Sequence, residues 1–191
     1  MLKQKIEKYV EDNTINILIN NTGGPPPGQA IAAETSNFEK AFSQHLVCNQ
    51  ILAQSVIEGM KSSAYGRIIN IISISVKQPI PNLGVSNTIR GAVASWAKTL
   101  ANELGEFGIT VNNILPGYTN TARLQSLLKN TASRLNKTID ETKKSIYQTI
   151  PLERFATAEE IAFATAFLAS PSAAYINGIN LPVDGGRIAC L

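Results

Sequence analysis

At 191 residues, 44% of them apolar and 16% charged, the chain is sized for one domain with a substantial core and is too apolar for a disordered polymer. Its net charge is +3, with 17 Lys and Arg spread along the sequence, so no basic stripe marks it for a nucleic acid. Two distant cysteines, Cys48 and Cys190, make no disulfide framework, no Cys/His spacing marks a metal site, and no apolar run reaches the length of a membrane span.

The opening residues, MLKQKIEKYVEDNT, carry Leu2, Ile6 and Tyr9–Val10 among charges at helical spacing. They read as an amphipathic helix over 2–12 and not as a secretion signal, and the cytoplasm is the expected compartment. INILINN (15–21) is an almost unbroken apolar run, the pattern of a parallel strand buried on both faces. TGGPPPGQA (22–30) is a loop by its glycines and prolines. A long helical period over 36–63 follows, with Ser36 as its expected N-cap. GRIINIISIS (66–75) is a second buried strand. Pro79 and Pro81 keep 77–84 out of the sheet, and a helix runs from about 85 to 105.

ITVNNILPG (109–117) is a third strand, residues 118–150 hold a loop with one or two polar helices, and TAEEIAFATAFLAS (157–170) is a helix opened by a Thr157/Glu160 capping box. GINLPVDGG (178–186) closes the chain as a last strand. Strand and helix alternate throughout, so residues 1–191 are expected to form one doubly wound α/β domain on a parallel sheet. In such a fold the segments 20–24, 73–77 and 116–121, each following an apolar run, converge on one crevice beyond the strand ends. Gly23 and Gly24 let backbone approach a ligand there, or serve turn geometry alone.

Several of these motifs coincide in order and spacing with those of the short-chain dehydrogenase/reductase family. NNTG (20–23) resembles the Asn-Asn-Ala-Gly turn after that family's fourth strand, and GRIINIIS (66–73) its fifth strand with the catalytic serine at the end. ITVNNILPGYTNT (109–121) resembles the segment lining the nicotinamide. PLERFATAEEIAFATAFLAS with INGINLPVDGG is similar to the end of beta-ketoacyl carrier-protein reductases. The resemblance implies a Rossmann-like sheet and an oxidoreductase using NAD or NADP on a small carbonyl or alcohol. It implies cofactor contacts at Asn20, Asn21, Gly23, Pro116, Gly117, Thr119 and Thr121.

Two departures accompany it. No Gly-rich phosphate loop precedes Asn20, so the fold is expected to lack the family's first three strands, to expose the 15–20 strand as an edge, and to bind dinucleotide weakly. The family's tyrosine lies thirteen positions after the serine and its lysine four further on. Counted from Ser73, those places hold Ser86 and Arg90, and the tetrad's asparagine aligns with His45. This form resembles a divergent branch of the family with serine and arginine at these positions.

A serine hydroxyl is a far weaker acid than a phenol, and an arginine keeps its proton at any working pH. Ser86 and Arg90 share a helix face, where Arg90 can hold a ribose or stabilise an oxyanion. His45, the sole histidine, either replaces the tyrosine as proton donor or is a satisfied core or surface residue. Ser75 and Lys77 follow Ser73 closely enough to join the site, or Lys77 is a solvated loop cation. Asn20 and Asn21 are site ligands or strand terminators.

The expected activity is therefore a family-type oxidoreduction resting on Ser73, Ser86, Arg90 and His45. The alternatives are a catalytically silent binding or assembly protein, or a remnant of a longer enzyme. Helices over 38–61 and 85–105 carry Phe42, Leu46, Leu52, Val93, Trp96 and Leu100 on apolar faces that suit a homo-oligomer, or equally an internal core.

Overall fold

A computed structural model describes residues 2–190. In chain order the elements are α1 (Leu2–Glu11), β1 (Ile17–Asn21), α2 (Thr35–Phe42), a π turn (Ser43–Val47), α3 (Cys48–Ser62), β2 (Gly66–Ile71), α4 (Gly84–Leu104), β3 (Ile109–Pro116), α5 (Ala122–Leu135), α6 (Ile139–Tyr147), α7 (Ala158–Ala169) and β4 (Asn180–Val183). The strands pair in parallel in the order β1-β2-β3-β4, so every strand ends at the same edge of the sheet.

The pleat sorts the core into two layers. Ile68, Ile109 and Val111 face Ala53, Val56 and Met60 of α3 and Ala97 and Ala101 of α4. The alternate residues Ile69 and Ile114 face Leu168 of α7 on the other side. Most of these side chains are at 0–1% exposure, and each large aliphatic removed from water stabilises the fold by roughly 1.5–3 kcal/mol. The expected α/β sandwich, helices on both faces of a parallel sheet, is what forms.

An unexpected polar row crosses this core. Asn20, Asn70, Asn113 and Asn180 stand opposite one another in strand register. Each passes its amide to the next: Asn20 Nδ2 donates to Asn70 Oδ1 at 2.9 Å, Asn70 Nδ2 to Asn113 Oδ1 at 2.8 Å, and Asn113 Nδ2 to Asn180 Oδ1 at 2.8 Å. The first three residues are at most 4% exposed, so the row satisfies donors that water cannot reach. Asn20 Oδ1, at the β1 end, is buried without a partner.

Several sequence expectations need correction. The first strand is not covered on both faces: Ile17 is 44% and Ile19 49% exposed, because β1 is a sheet edge. The second strand stops at Ile71, since Ser73 turns the chain into a 3-10 turn (Ile74–Val76) by accepting the Ser75 N–H at 3.1 Å. Ser36 does not cap a helix. α2 starts at Thr35 after an extended Glu34, and no side chain caps it. Thr157 does cap α7, with Glu160 completing the box. Of the expected apolar faces, Val93 is buried inside the molecule, Trp96 is half-buried and donates to Gln50 Oε1 at 2.7 Å, and Phe42 remains 43% exposed.

Candidate active site

Arg90 is the structural centre of the site. It lies on α4 one turn after Ser86, and both are 8% exposed. Its Nη1 donates to the Ile71 carbonyl at 3.0 Å and its Nη2 to the Thr22 carbonyl at 3.5 Å. Ile71 ends β2, and Thr22 follows the last residue of β1. The guanidinium therefore bridges the carboxyl ends of two neighbouring strands. Burial, then the nearby Arg123 charge, pull its pKa down to about 10, which leaves it protonated at neutral pH.

His45 sits on the π turn between α2 and α3, a helix irregularity that occurs often at functional sites. The ring is 2% exposed, with Nδ1 hydrogen-bonded to Thr22 Oγ1 and Nε2 buried without a partner. Burial first, then the positive charges of Arg90 and Arg123, lower its pKa from 6.5 to about 4. The imidazole is consequently neutral at pH 7. The sequence suggested a group poised for proton transfer at neutral pH, and this environment removes that poise.

Thr22 thus takes contacts from both basic groups, and the next turn of the same loop takes a third. Arg123, in the first turn of α5, approaches the carbonyls of Gly24 and Pro25 at 3.5 Å. Only a glycine at 24 permits this, since a Cβ there would meet Arg123 Nη2 at 2.7 Å. Gly23 is different: a Cβ would project into space with nothing within 4 Å. The loop therefore has one bare side at Gly23 and one side packed by a guanidinium at Gly24.

The other expected site residues fall into two groups. Ser73 is half-buried at the end of β2 and caps its 3-10 turn, while the Ser75 hydroxyl is buried without a partner and Lys77 is half-buried. Asn21 is exposed at the end of β1. Asn20, by contrast, is turned into the sheet interior by its bond to Asn70. Pro116 ends β3, and Gly117 packs so tightly that a Cβ would lie 2.8 Å from Asp184 Cα, so its smallness serves strand-end packing. The Thr121 hydroxyl, expected as a cofactor contact, accepts the Leu124 N–H at 3.4 Å as the N-cap of α5 and donates to the Thr119 carbonyl. Thr119 Oγ1 bonds the Gly117 carbonyl at 3.4 Å, a long and weak contact.

Thr22 and Arg123 were not singled out from the sequence. Thr22 was readable, since it occupies the small-residue place of the NNTG turn. Arg123 was not, because its reach across to Gly24 joins segments 99 residues apart.

A parallel sheet covered by helices, with polar and basic groups gathered beyond the carboxyl ends of its strands, is an α/β architecture whose class binds ligands at that edge. Comparison with known proteins gives the lineage. The chain belongs to the short-chain dehydrogenase/reductase family: the family model described as Enoyl-(Acyl carrier protein) reductase matches residues 2–187. The NADPH-dependent reductase BacG of Bacillus subtilis (strain 168) is 31% identical over 185 residues, covering 97% of this chain and 71% of that protein. The 3-oxoacyl-(acyl-carrier-protein) reductase FabG of Rickettsia prowazekii (strain Madrid E) is 32% identical over 176 residues, 92% and 68% of the two chains.

Among solved structures, that of YwfH, an NADPH-dependent reductase involved in bacilysin biosynthesis, superposes with a TM-score of 0.91 at 29% identity, covering all of this chain and 72% of the other. L-sorbose reductase from Gluconobacter frateurii, solved with NADPH and L-sorbose, superposes with a TM-score of 0.92 at 27% identity, covering 100% and 73%. No described helix is long and apolar enough to cross a membrane, and no described cluster of His, Cys, Asp and Glu could hold a metal ion.

Proposed function

We propose that this chain is an oxidoreductase that exchanges hydride between NADP(H) or NAD(H) and a small carbonyl or alcohol, with Arg90, Ser86, Ser73 and His45 forming the reacting edge. The observation that carries this reading is the Arg90 bridge: a protonated guanidinium held at the ends of β1 and β2, one helical turn from Ser86. BacG and YwfH are NADPH-dependent by description, which favours NADPH over NADH.

The residues present fit the nicotinamide end of such a cofactor. Gly23 leaves open space for a flat ring, and Asn21, Gly23 and Thr119 are the groups that would hold it. No glycine precedes Gly23, so the described residues contribute no Gly-rich turn for a pyrophosphate. When bound, the nicotinamide supplies or accepts the hydride. The chain's own residues then handle the charge and the proton. Arg90 stabilises the developing alkoxide, since its pKa of about 10 keeps it cationic at pH 7. Ser73 Oγ orients the oxygen, and Ser86 Oγ passes a proton from water to it, because neither a serine nor a neutral His45 is a standing acid.

The experiment is NADPH fluorescence titration of the full chain, followed by NADPH oxidation across a panel of small ketones and aldehydes. Turnover that falls in Arg90→Gln and Ser86→Ala supports the scheme, whereas loss in His45→Ala with Ser86→Ala unaffected transfers the proton step to the histidine. A second reading is a catalytically silent assembly protein, favoured by the fact that the Arg90 bridge also serves as a purely structural tie. Absence of turnover in wild type and in the Ser86→Tyr/Arg90→Lys double variant selects that reading. Homo-oligomerisation through 38–61 and 85–105 belongs to either reading and is tested by light scattering on the chain and on Phe42→Ser.

A further inference from the structure

We infer that the strand-end edge carrying Arg90 and Arg123 binds the carboxylate of an acidic substrate, so that the compound reduced or oxidised here is a carboxylate-bearing carbonyl or alcohol. The inference rests on the reading of this edge as a reaction site and adds the class of its substrate.

The first ground is an unbalanced charge. Arg90 is 8% exposed, and its recorded side-chain partners are backbone carbonyls. The ion pairs among the described residues are Lys3–Glu7, Lys61–Glu58, Lys143–Asp140 and Arg154–Glu160; none reaches Arg90 or Arg123. A guanidinium taken out of water without a counter-ion is costly, and a second one nearby raises the cost. The two guanidiniums meet the same loop, Arg90 at the Thr22 carbonyl and Arg123 at those of Gly24 and Pro25. Three basic groups converge on residues 22–25 and no acidic side chain answers them.

The second ground is placement. Arg123 stands in the first turn of α5, a 14-residue helix with no acidic residue in that turn. The helix dipole favours negative charge there, so a cation in this place is set against the local field unless an anion joins it. Gly24 is kept bare for this side chain, and Gly23 beside it leaves open room on the loop. Arg123 is exposed and Arg90 is 8% exposed, and the forked N–H donors of a guanidinium take carboxylates bidentately. Five N–H groups belong to each guanidinium, and backbone carbonyls accept two from Arg90.

An anion of this chemistry has two sources, the substrate's carboxylate or the cofactor's phosphates. The test uses oxamate and its neutral isostere oxamide, titrated calorimetrically into the full chain without cofactor and again with NADPH present. The expected result is binding of oxamate at least about tenfold tighter than oxamide, lost about tenfold in Arg123→Gln and regained in part by Arg123→Lys. Arg123 is exposed, so its replacement leaves folding intact where Arg90→Gln is liable to disturb it. Oxamate binding should also raise the pKa of His45, read from its ring resonance, which a merely structural arginine would not produce. Equal affinity for the two probes, no oxamate binding, or no effect of Arg123→Gln overturns the inference. So does displacement of oxamate by NADPH, which would assign the anion site to a cofactor phosphate. Because oxamate is not turned over, this outcome is independent of whether the carbonyl panel shows activity.

Discussion

Protonation of His45 should destabilise the fold, and the sole histidine of the chain makes the effect separable from all others. The buried imidazole has a pKa of about 4, against 6.5 when free. Between those values the unfolded chain binds the proton and the folded chain does not. Unfolding therefore gains free energy as the pH falls, so this contribution to stability is fully present above pH 6.5 and is lost through the interval down to about 4. At pH 5 nearly all unfolded imidazoles carry a proton, and about a tenth of the folded ones do. The difference comes to about 2 kcal/mol between pH 7 and pH 5, rising towards about 3 kcal/mol at pH 4. Carboxylates titrate in the same range, so the measurement is a comparison. Urea unfolding of wild type and His45→Asn at pH 7 and 5 should show the extra loss in wild type only. In parallel, the His45 Cε1–Hε1 resonance should stay constant from pH 8 to 5.5 and move with a midpoint near 4. Arg123→Gln should raise that midpoint by removing one of its three causes. A midpoint at 6.5 or above would mean that the ring is solvated, and would falsify the description of the site as a buried basic cluster.

Asn113→Ala should be among the most costly single substitutions in the sheet. It strands the Asn70 amide donor and the Asn180 acceptor on either side, and two orphaned buried groups cost about 2–4 kcal/mol, measurable by chemical denaturation. Thr157→Ala removes the hydroxyl that caps the Glu160 N–H at the start of α7, and a loss of about 1 kcal/mol is expected in the same assay. Gly24→Ala should leave stability nearly unchanged, because its Cβ meets only the flexible end of Arg123. It should nonetheless displace that guanidinium and raise the His45 midpoint, so an unchanged midpoint would separate Arg123 from the histidine.

How much of this was legible in the sequence depended on the range of the interactions involved. The strands following 66 and 109 announced themselves by apolar runs, and the capping box at 157–160 by residues three apart. Such signals are local, and burial or a single hydrogen bond enforces them. The first strand misled for a physical reason. Its apolar run is what a central parallel strand requires, but whether Ile17 and Ile19 are covered depends on what lies beside β1 and not on the run itself. The asparagine row was written in plain view, since each strand carries at least one Asn. Its meaning required the register, which places residues 20, 70, 113 and 180 on one line. Polar residues within a strand read as interruptions until their partners across the sheet are known.

The candidate edge was half legible for the same reason. Counting from Ser73 reached Ser86 and Arg90, and their spacing of four along α4 puts the two on one face. What Arg90 does there could not be counted, because its partners lie 19 and 68 residues away on the ends of two strands. Those partners change the argument about chemistry. A lysine offers a single ammonium centre, whereas a guanidinium can bridge both carbonyls and still present N–H groups to a third partner. Arg90 therefore ties the strand ends together while remaining cationic at neutral pH. His45 remains neutral, first because it is buried and then because of the charges of Arg90 and Arg123. With Ser86 beside a cationic Arg90 and a neutral His45, the edge carries fixed positive charge and no group poised to release a proton near pH 7. An edge of that composition is better suited to holding an anion and steadying an alkoxide than to supplying the proton itself.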